Sequence, residues 1–120
     1  MRYELTQQFY FEAAHTLHRE VDAEPSRRIH GHTYQAEATV AGEPDPATGR
    51  LVDLAELRGA IERVREMLDH RFLDEVPGIG PPTLENLCAF VWRQLVDPKW
   101  LLHSVTVRRK ASGDQCRLMA

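Results

Sequence analysis

Two stretches of the chain alternate between apolar and polar residues, and this period of two constrains the fold more than any other feature. In residues 3–15 one parity carries Tyr3, Leu5, Phe9, Phe11, Ala13 and His15. In residues 30–41 one parity carries His30, His32, Tyr34, Ala36, Ala38 and Val40. Because successive side chains of a strand point to opposite faces, both stretches are predicted to be half-buried β-strands.

The segments after each strand carry turn and helix signals. Residues 16–29 are polar and contain Pro25, and residues 42–49 (GEPDPATG) are rich in turn formers, so both are predicted as loops. Asp53 followed by Glu56 is typical of a capping box at the start of a helix. That helix would bury one face made of Leu54, Leu57, Ile61, Val64 and Leu68, which recur at helical spacing.

A second helix and further strands are predicted in the remaining sequence. PGIGPP, residues 77–82, interrupts the chain, and Thr83 can cap a helix that Pro98 ends. The apolar face of this helix would be Leu84, Leu87, Cys88, Val91 and Leu95. Residues 103–110 are predicted as a strand, and the last residues as one more.

The predicted order of elements is β-β-α-α-β-β. This order is typical of an α+β fold in which two helices cover one face of a four-stranded antiparallel sheet. The length of 120 residues corresponds to a single domain, residues 1–120. Because a four-stranded sheet has two open edges, we expect it to be paired into an oligomer.

Composition excludes several classes of function. The net charge is −3, from 15 basic and 18 acidic residues, which argues against a nucleic-acid-binding surface and gives no sign of a membrane-binding patch. The start of the sequence lacks the pattern of a signal peptide, and no apolar stretch is long enough for a membrane span. We therefore expect a cytoplasmic protein whose two cysteines, Cys88 and Cys116, are reduced thiols.

Three histidines are predicted to meet at one end of the first two strands. His30 and His32 would point to the same side, and Gly31 would leave backbone room between them. If the two strands pair as a hairpin, His15 lies beside both. Three neutral imidazoles with an open fourth position are typical of catalytic zinc. The alternative is that these are ordinary surface histidines, and His18 competes for the third position.

Asp69 and His70, in the stretch LDHRF at the end of the first predicted helix, form a second candidate site. The carboxylate could orient the imidazole for proton transfer. The alternative is a histidine that interacts with the helix dipole and has no catalytic role. His103, at the head of a late strand, is interpreted as a plain surface or core histidine.

Five stretches together resemble the 6-pyruvoyl-tetrahydropterin synthase family, which includes the bacterial 6-carboxy-tetrahydropterin synthases of queuosine biosynthesis. The stretches are FEAAH (11–15), SRRIHGH (26–32), GRLVDLAEL (49–57), LDHRFLDE (68–75) and PTLEN (82–86). They cover nearly the whole chain in the family's order.

The resemblance implies a tunnelling fold, in which the sheets of three subunits join into a barrel and two trimers stack as a hexamer with active sites between subunits. It implies that His15, His30 and His32 bind Zn²⁺ and that Asp69 and His70 relay protons. In the family, zinc acts as a Lewis acid on the side-chain hydroxyls of 7,8-dihydroneopterin triphosphate, protons move on that side chain, and triphosphate leaves. The queuosine branch also loses acetaldehyde.

The sequence departs from the family pattern at two positions. Ser26 stands where the family has a cysteine that accepts a proton, and a serine hydroxyl needs an adjacent base to act. His70 could be that base, or Ser26 could be a plain loop residue. Arg109 stands where the family has a glutamate that anchors the pterin, and arginine has donors but no acceptor. Arg109 would therefore prefer a carboxylate, phosphate or carbonyl group, unless a shift in strand register places it at the surface.

The sequence thus predicts a zinc-dependent carbon–oxygen lyase of pterin metabolism. Its expected catalytic residues are Ser26, Asp69 and His70, and its expected substrate-binding residues are Thr83, Glu85 and Arg109. Two alternatives keep the same histidines: an enzyme with another reaction or a non-pterin substrate, such as retro-aldol cleavage, and a non-catalytic protein that binds zinc and a ligand.

Overall fold

A computed structural model describes residues 1–18, 20–21 and 23–120, and the side chains of Ala23 and Ser26 lie outside the described part. The strands are β1 (Tyr3–His15), β2 (His30–Gly42), β3 (Arg71–Phe72), β4 (Leu102–Arg109) and β5 (Asp114–Met119). The α-helices are α1 (Ala23–Arg27), α2 (Leu54–Leu68) and α3 (Leu84–Leu95), and Leu73–Glu75 form one 3₁₀ turn.

The strands form one mixed sheet in the order β3-β1-β2-β4-β5. The four long strands pair antiparallel, as predicted. The predicted four-stranded antiparallel sheet is present, and the correction to it is a fifth strand: β3 pairs parallel to the end of β1 through Ala13 and Ala14. A strand of two residues is too short to show a period in the sequence.

The alternation predicted for β1 and β2 places apolar side chains on the face that the helices cover. The core on this face includes Phe9, Phe11, Ala13, Tyr34, Ala36, Ala38, Val105 and Val107. Phe11 and Tyr34 stack with ring centroids 4.9 Å apart. The opposite face is polar, and there Glu37 accepts hydrogen bonds from Gln8 and Arg108.

The two long helices begin at the predicted caps. The side chain of Asp53 accepts a hydrogen bond from the backbone N–H of Ala55, and that of Thr83 accepts one from Asn86. Their predicted apolar faces are buried, apart from the half-buried Leu54. Helix α3 ends at Leu95, before Pro98.

The loop predicted for residues 16–29 contains the short helix α1, which corrects that prediction; Arg19 and Asp22 lie outside the described residues. Helix α1 has five residues and no apolar period that would mark it in the sequence. Pro25 is tolerated because it lies in the first turn, where backbone N–H groups have no partner within the helix.

Two further features concern the helices and the two cysteines. None of the helices in the described residues is long and apolar enough to cross a membrane. Cys88 and Cys116 are free thiols, and the Cys88 thiol donates to the Cys116 carbonyl oxygen at 3.3 Å. Burial raises the pKa of Cys88 to about 12, which makes this thiol unreactive at neutral pH.

Candidate active site

The antiparallel register of β1 and β2 brings three histidines together, as the sequence predicts. His15 lies directly opposite His30, and His32 points to the same face as His30. We call these three residues the histidine triad. A Cβ at Gly31 would lie 3.7 Å from the Ala13 carbonyl oxygen, an ordinary contact distance, so the backbone room expected from this glycine is not needed.

The imidazole rings of the histidine triad converge through their Nε2 atoms. The Nε2 atom of His15 lies 2.9 Å from that of His30 and 3.0 Å from that of His32. One nitrogen atom from each ring lies within 4.8 Å of the others, which is a suitable arrangement for a metal ion.

Backbone carbonyl groups set the tautomers of two of these rings. The Nδ1 atom of His15 lies 3.1 Å from the Pro82 oxygen, and that of His30 lies 2.7 Å from the Arg28 oxygen. A carbonyl oxygen only accepts, so each Nδ1 carries the proton and each neutral ring presents a bare lone pair at Nε2. Two lone pairs that face each other at 2.9 Å repel unless a cation lies between them. The orienting carbonyls are the outer partners that metal-binding histidines require.

Burial keeps two of the rings, those of His15 and His32, in the neutral form that binds metal. Desolvation lowers the pKa of His15, with further lowering from the charges of His30 and Arg109. Desolvation, followed by the charges of His15 and Arg109, lowers the pKa of His32 to about 4. Both imidazoles are therefore neutral at pH 7, without a proton to compete with a metal ion.

Tyr34 and Arg109 lie beside the histidine triad. The Tyr34 ring is fully buried and its centroid is 5.7 Å from that of His32. Burial raises the pKa of Tyr34 to about 12, and the nearby charge of Arg109 opposes this rise. Arg109, at the end of β4, donates from Nη2 to Asp114 at 3.0 Å. Its side chain is 17% exposed, so Arg109 is not a surface residue, and the alternative of a shifted register is wrong.

Asp69 and His70 form a second group at the end of α2. The Nδ1 atom of His70 lies 2.9 Å from a carboxylate oxygen of Asp69. Asp69 also accepts from the backbone N–H of Glu12 at 2.9 Å and from Arg65 Nη2 at 3.0 Å. The Glu12 N–H is the main cause that lowers the pKa of Asp69, and the His70 hydrogen bond and the Arg65 charge add to it.

His70 has an unusual backbone conformation, with a φ of 57°. Its N–H donates to the Glu12 carbonyl oxygen at 2.6 Å, which ties the end of α2 to β1. The imidazole is 76% exposed, and its Nε2 atom lies 4.0 Å from the Glu12 carboxylate. Left-handed backbone at a non-glycine residue is a strain that is often found at functional sites.

One surface cavity includes a residue of each group in its lining. His32 and His70 both line it, together with Glu12, Gly31 and Thr33. Among the described residues no hydrogen bond joins His70 to the histidine triad. Glu12 and Thr33 lie on the strand parity opposite to that of the histidine triad, so this cavity opens on the other face of the two strands.

The structure places the other predicted residues as follows. Thr83 caps α3, and Glu85 is exposed on the first turn of that helix; among the described residues no ion pair joins Glu85 to the histidine triad. The side chain of Ser26 lies outside the described part, and its backbone belongs to α1. His18 lies in the loop after β1, and His103 pairs with Glu4 at 2.9 Å.

Sequence reasoning missed Tyr34, Glu12 and Arg65 as parts of the site. Tyr34 shares its parity with the two histidines of β2, and this signal could have placed it beside them. Glu12 lies on the opposite parity of β1, and its contact with His70 depends on how α2 ends. No sequence signal marks Arg65 as the partner of Asp69, apart from the spacing of four residues in a helix.

A tunnelling-type α+β fold with a histidine triad at the paired ends of β1 and β2 defines the class of protein. The family model described as 6-pyruvoyl tetrahydropterin synthase matches residues 4–116. The chain therefore belongs to the 6-pyruvoyl tetrahydropterin synthase family.

Curated relatives and a solved structure agree with this assignment. The human 6-pyruvoyl tetrahydrobiopterin synthase is 40% identical over 84 residues, which cover 65% of this chain and 58% of the human protein. A 6-carboxy-5,6,7,8-tetrahydropterin synthase from Synechocystis is 34% identical and matches 83% of this chain and 81% of its own length. The structure of Caenorhabditis elegans 6-pyruvoyl tetrahydropterin synthase superposes with a TM-score of 0.84 at 25% identity, covering 100% of this chain and 96% of that one.

Proposed function

We propose that the protein is a zinc-dependent carbon–oxygen lyase of pterin metabolism that acts on 7,8-dihydroneopterin triphosphate or a related pterin. The observation that carries the proposal is the convergence of the Nε2 atoms of three histidines. Membership in the pterin synthase family supports the substrate class. The names of the matched relatives include both 6-pyruvoyl and 6-carboxy synthases, so the product is left to experiment.

The donor set fits zinc. His15, His30 and His32 would hold the ion through neutral imidazoles, the ligand type that zinc shares with other late transition metals, and three protein ligands leave a position for substrate. Zinc at this position would act as a Lewis acid that polarises the substrate's oxygen atoms. The carbonyl groups of Pro82 and Arg28 would hold two of the ligand rings in place.

Asp69 and His70 would carry the proton transfer. The Glu12 N–H and Arg65 favour the ionised form of Asp69. This carboxylate would accept a hydrogen bond from the Nδ1–H of His70 and leave the Nε2 atom to exchange a proton with substrate. The His70 imidazole is 76% exposed, which leaves its Nε2 atom accessible to a substrate. Ser26 is a predicted third member that would act only with a base such as His70 beside it.

The pocket residues Thr83, Glu85 and Arg109 are proposed to contact substrate. Thr83 follows Pro82, the residue that orients His15, so this segment borders the histidine triad. Arg109 lies beside the triad through its neighbour Tyr34. A queuosine-type pathway, which rests on the resemblance, and a cytoplasmic location, which rests on the sequence pattern, complete the proposal.

We further propose a homohexamer built from two trimers, with active sites between subunits. In the described residues β3 covers only Ala13 and Ala14 of β1, so the rest of that edge is open, as is the outer edge of β5. Tyr3 and Tyr10 on β1 and Met119 on β5 are half exposed or more. Pairing between these edges would cover both the apolar side chains and the free backbone groups. Light scattering that gives the 13.8 kDa monomer at micromolar concentration would rule it out.

The proposed activity is tested by product analysis after zinc-loaded protein is incubated with 7,8-dihydroneopterin triphosphate. We expect release of triphosphate and a reduced pterin product, and no release by chelator-treated protein. Release of acetaldehyde would indicate the 6-carboxy type of product. Recovery of unchanged substrate with full zinc occupancy would exclude the proposed lyase and favour a different substrate or a binding role.

A further inference from the structure

Two polar groups beside the histidine triad are buried without a hydrogen bond of ordinary geometry. The Tyr34 side chain is 0% exposed, and its hydroxyl has no such hydrogen bond in the described part of the chain. The same is true of the Nε atom of Arg109, although Arg109 Nη2 is paired with Asp114. Arg109 lies close enough to the Tyr34 hydroxyl to donate to its oxygen, which would still leave the Tyr34 O–H without an acceptor. A buried donor without a partner is costly, and native proteins rarely leave one unless a ligand or water satisfies it.

The two donors face the same space. Ala36 on β2 is opposite Val107 on β4, so two residues further along each strand Tyr34 and Arg109 lie on the same face. Tyr34 packs edge-on against His32 and against His15, with ring centroids 5.7 and 6.4 Å apart. The donors therefore border the side of the triad that faces β4.

The charges at this place are unbalanced. Three neutral imidazoles bring no negative charge to a divalent metal ion, and Arg109 adds a positive charge near the same point. Asp114 is 51% exposed and engages only the outer Nη2 atom of Arg109. Asp74, the other carboxylate near His15, accepts hydrogen bonds from the backbone N–H and hydroxyl of Thr16. A negatively charged ligand would balance the metal ion and Arg109 together.

We infer that Arg109 Nε and the Tyr34 hydroxyl form a subsite for an oxyanion, a carboxylate or phosphate group of a ligand that also reaches the metal ion. An arginine N–H can only donate and a tyrosine hydroxyl can donate as well, so the subsite matches an acceptor group better than a donor edge such as an amidine. The inference rests on the metal site of the proposed function and does not depend on lyase activity.

Arg108 provides a matched control on the same strand. It points to the opposite face of the sheet and pairs with Glu37 at 2.6 Å. Substitution of Arg108 removes the same charge from the same strand while leaving the subsite intact.

The test uses the full chain loaded with Co²⁺, because the visible spectrum of this ion reports ligands that reach the metal. Three probes are titrated: glycolate, inorganic phosphate, and ethylene glycol as a neutral relative of glycolate. Calorimetry gives the dissociation constants of wild-type protein and of Arg109→Gln, Tyr34→Phe and Arg108→Gln. Circular dichroism and cobalt content establish that each variant is folded and loaded, and Arg109→Lys is a second variant that keeps the charge.

We expect glycolate or phosphate to bind wild-type protein and change the cobalt spectrum, and ethylene glycol to bind at least about tenfold more weakly. Arg109→Gln and Tyr34→Phe should each weaken oxyanion binding about tenfold or more, because each removes a donor to a charged group. Arg109→Lys should retain part of the binding, and Arg108→Gln should stay within about twofold of wild type. The tighter of the two anions identifies the group that the subsite takes.

Equal oxyanion binding by wild-type protein and Arg109→Gln would overturn the inference, as would equal binding of glycolate and ethylene glycol. Either result, obtained with cobalt fully bound, would not count against the proposed lyase activity. Oxyanion binding that depends on Arg109, without turnover of the pterin, would support the subsite and exclude the proposed lyase activity. A chain that holds no cobalt would overturn both.

Discussion

The histidine triad and the Asp69–His70 pair are assembled in opposite ways. The triad depends on the register of two long strands, and its central ring, His15, is fully buried. The pair depends on how one helix ends, and His70 is 76% exposed with a left-handed backbone. Each region contains an imidazole oriented by an acceptor: a backbone carbonyl for His15 and a carboxylate for His70.

This difference matches the proposed division between metal binding and proton transfer. A carbonyl partner and a buried environment favour a neutral ring that donates its lone pair to a metal ion. An ionised carboxylate partner and access to solvent favour a ring that can take up and release a proton. We therefore expect substitutions in the Asp69–His70 pair to leave metal binding by the histidine triad unchanged.

The largest effect that separates the two regions is expected from His70→Ala. Loss of a positioned proton-transfer group should reduce kcat by about 10²- to 10⁴-fold. Zinc content should not change, because His70 has no contact with the triad in the described residues. His103→Ala serves as the control and should keep full activity. Loss of zinc from His70→Ala would show that the two regions are coupled.

Ser26→Cys should add a more acidic side chain to the segment that joins β1 and β2, and it tests the proton-transfer half of the comparison. A thiol with a pKa of about 8.5 forms a thiolate, which can accept a proton, far more readily at neutral pH than serine forms an alkoxide. Turnover of 7,8-dihydroneopterin triphosphate should therefore rise at least about tenfold. Thr48→Cys, on an exposed turn, controls for the addition of a thiol.

If Ser26→Cys alone has no effect, the double variant Ser26→Cys with Arg109→Glu should gain activity, because glutamate supplies the acceptor that arginine lacks. An inactive double variant that still holds zinc and its oligomeric state would count against a pterin substrate.

A smaller effect is expected on stability at position 70. Glycine adopts a positive φ without strain, whereas alanine does not, so His70→Gly should be more stable than His70→Ala by about 1 kcal/mol. Urea unfolding of the two variants measures this difference. Equal free energies of unfolding would show that the left-handed conformation at this residue is not strained.

The smallest effect concerns the acid dependence of Asp69. Its folded-state pKa lies below the ordinary 3.8, so its ionised form contributes stability above that pH, and this contribution is lost as the pH falls through the folded-state value. The difference in melting temperature between wild-type protein and Asp69→Asn should therefore narrow as the pH falls below about 4. A difference that stays constant down to pH 2 would contradict the hydrogen-bonding account of this carboxylate.

The triad was predictable from the sequence because strand parity is a strong local rule. His15, His30 and His32 all lie on the parity that carries the apolar residues, and a hairpin between two strands of equal length brings their ends together. The caps Asp53 and Thr83 were predictable for a similar reason, since each is followed at once by an apolar helical period.

Other features depend on contacts that no local pattern encodes. Helix α1 has no apolar face, and β3 has only two residues and a parallel partner distant in sequence. The backbone of His70 turns left-handed because its N–H reaches the Glu12 carbonyl oxygen on another element. The surroundings of the Arg109 Nε atom depend on the two strands that flank β4. The residues of β4 alone do not show which strands these are.

The most direct test of the central claim is the zinc content of the purified chain after reconstitution and removal of loose metal. Elemental analysis should find one zinc ion per chain, and X-ray absorption should find nitrogen ligands at about 2.0–2.1 Å. His30→Ala should lose most of the metal, whereas His103→Ala, which alters a histidine paired with Glu4, should keep it. A zinc content well below one equivalent in the reconstituted wild-type chain, or an equal content in His30→Ala, would contradict the account.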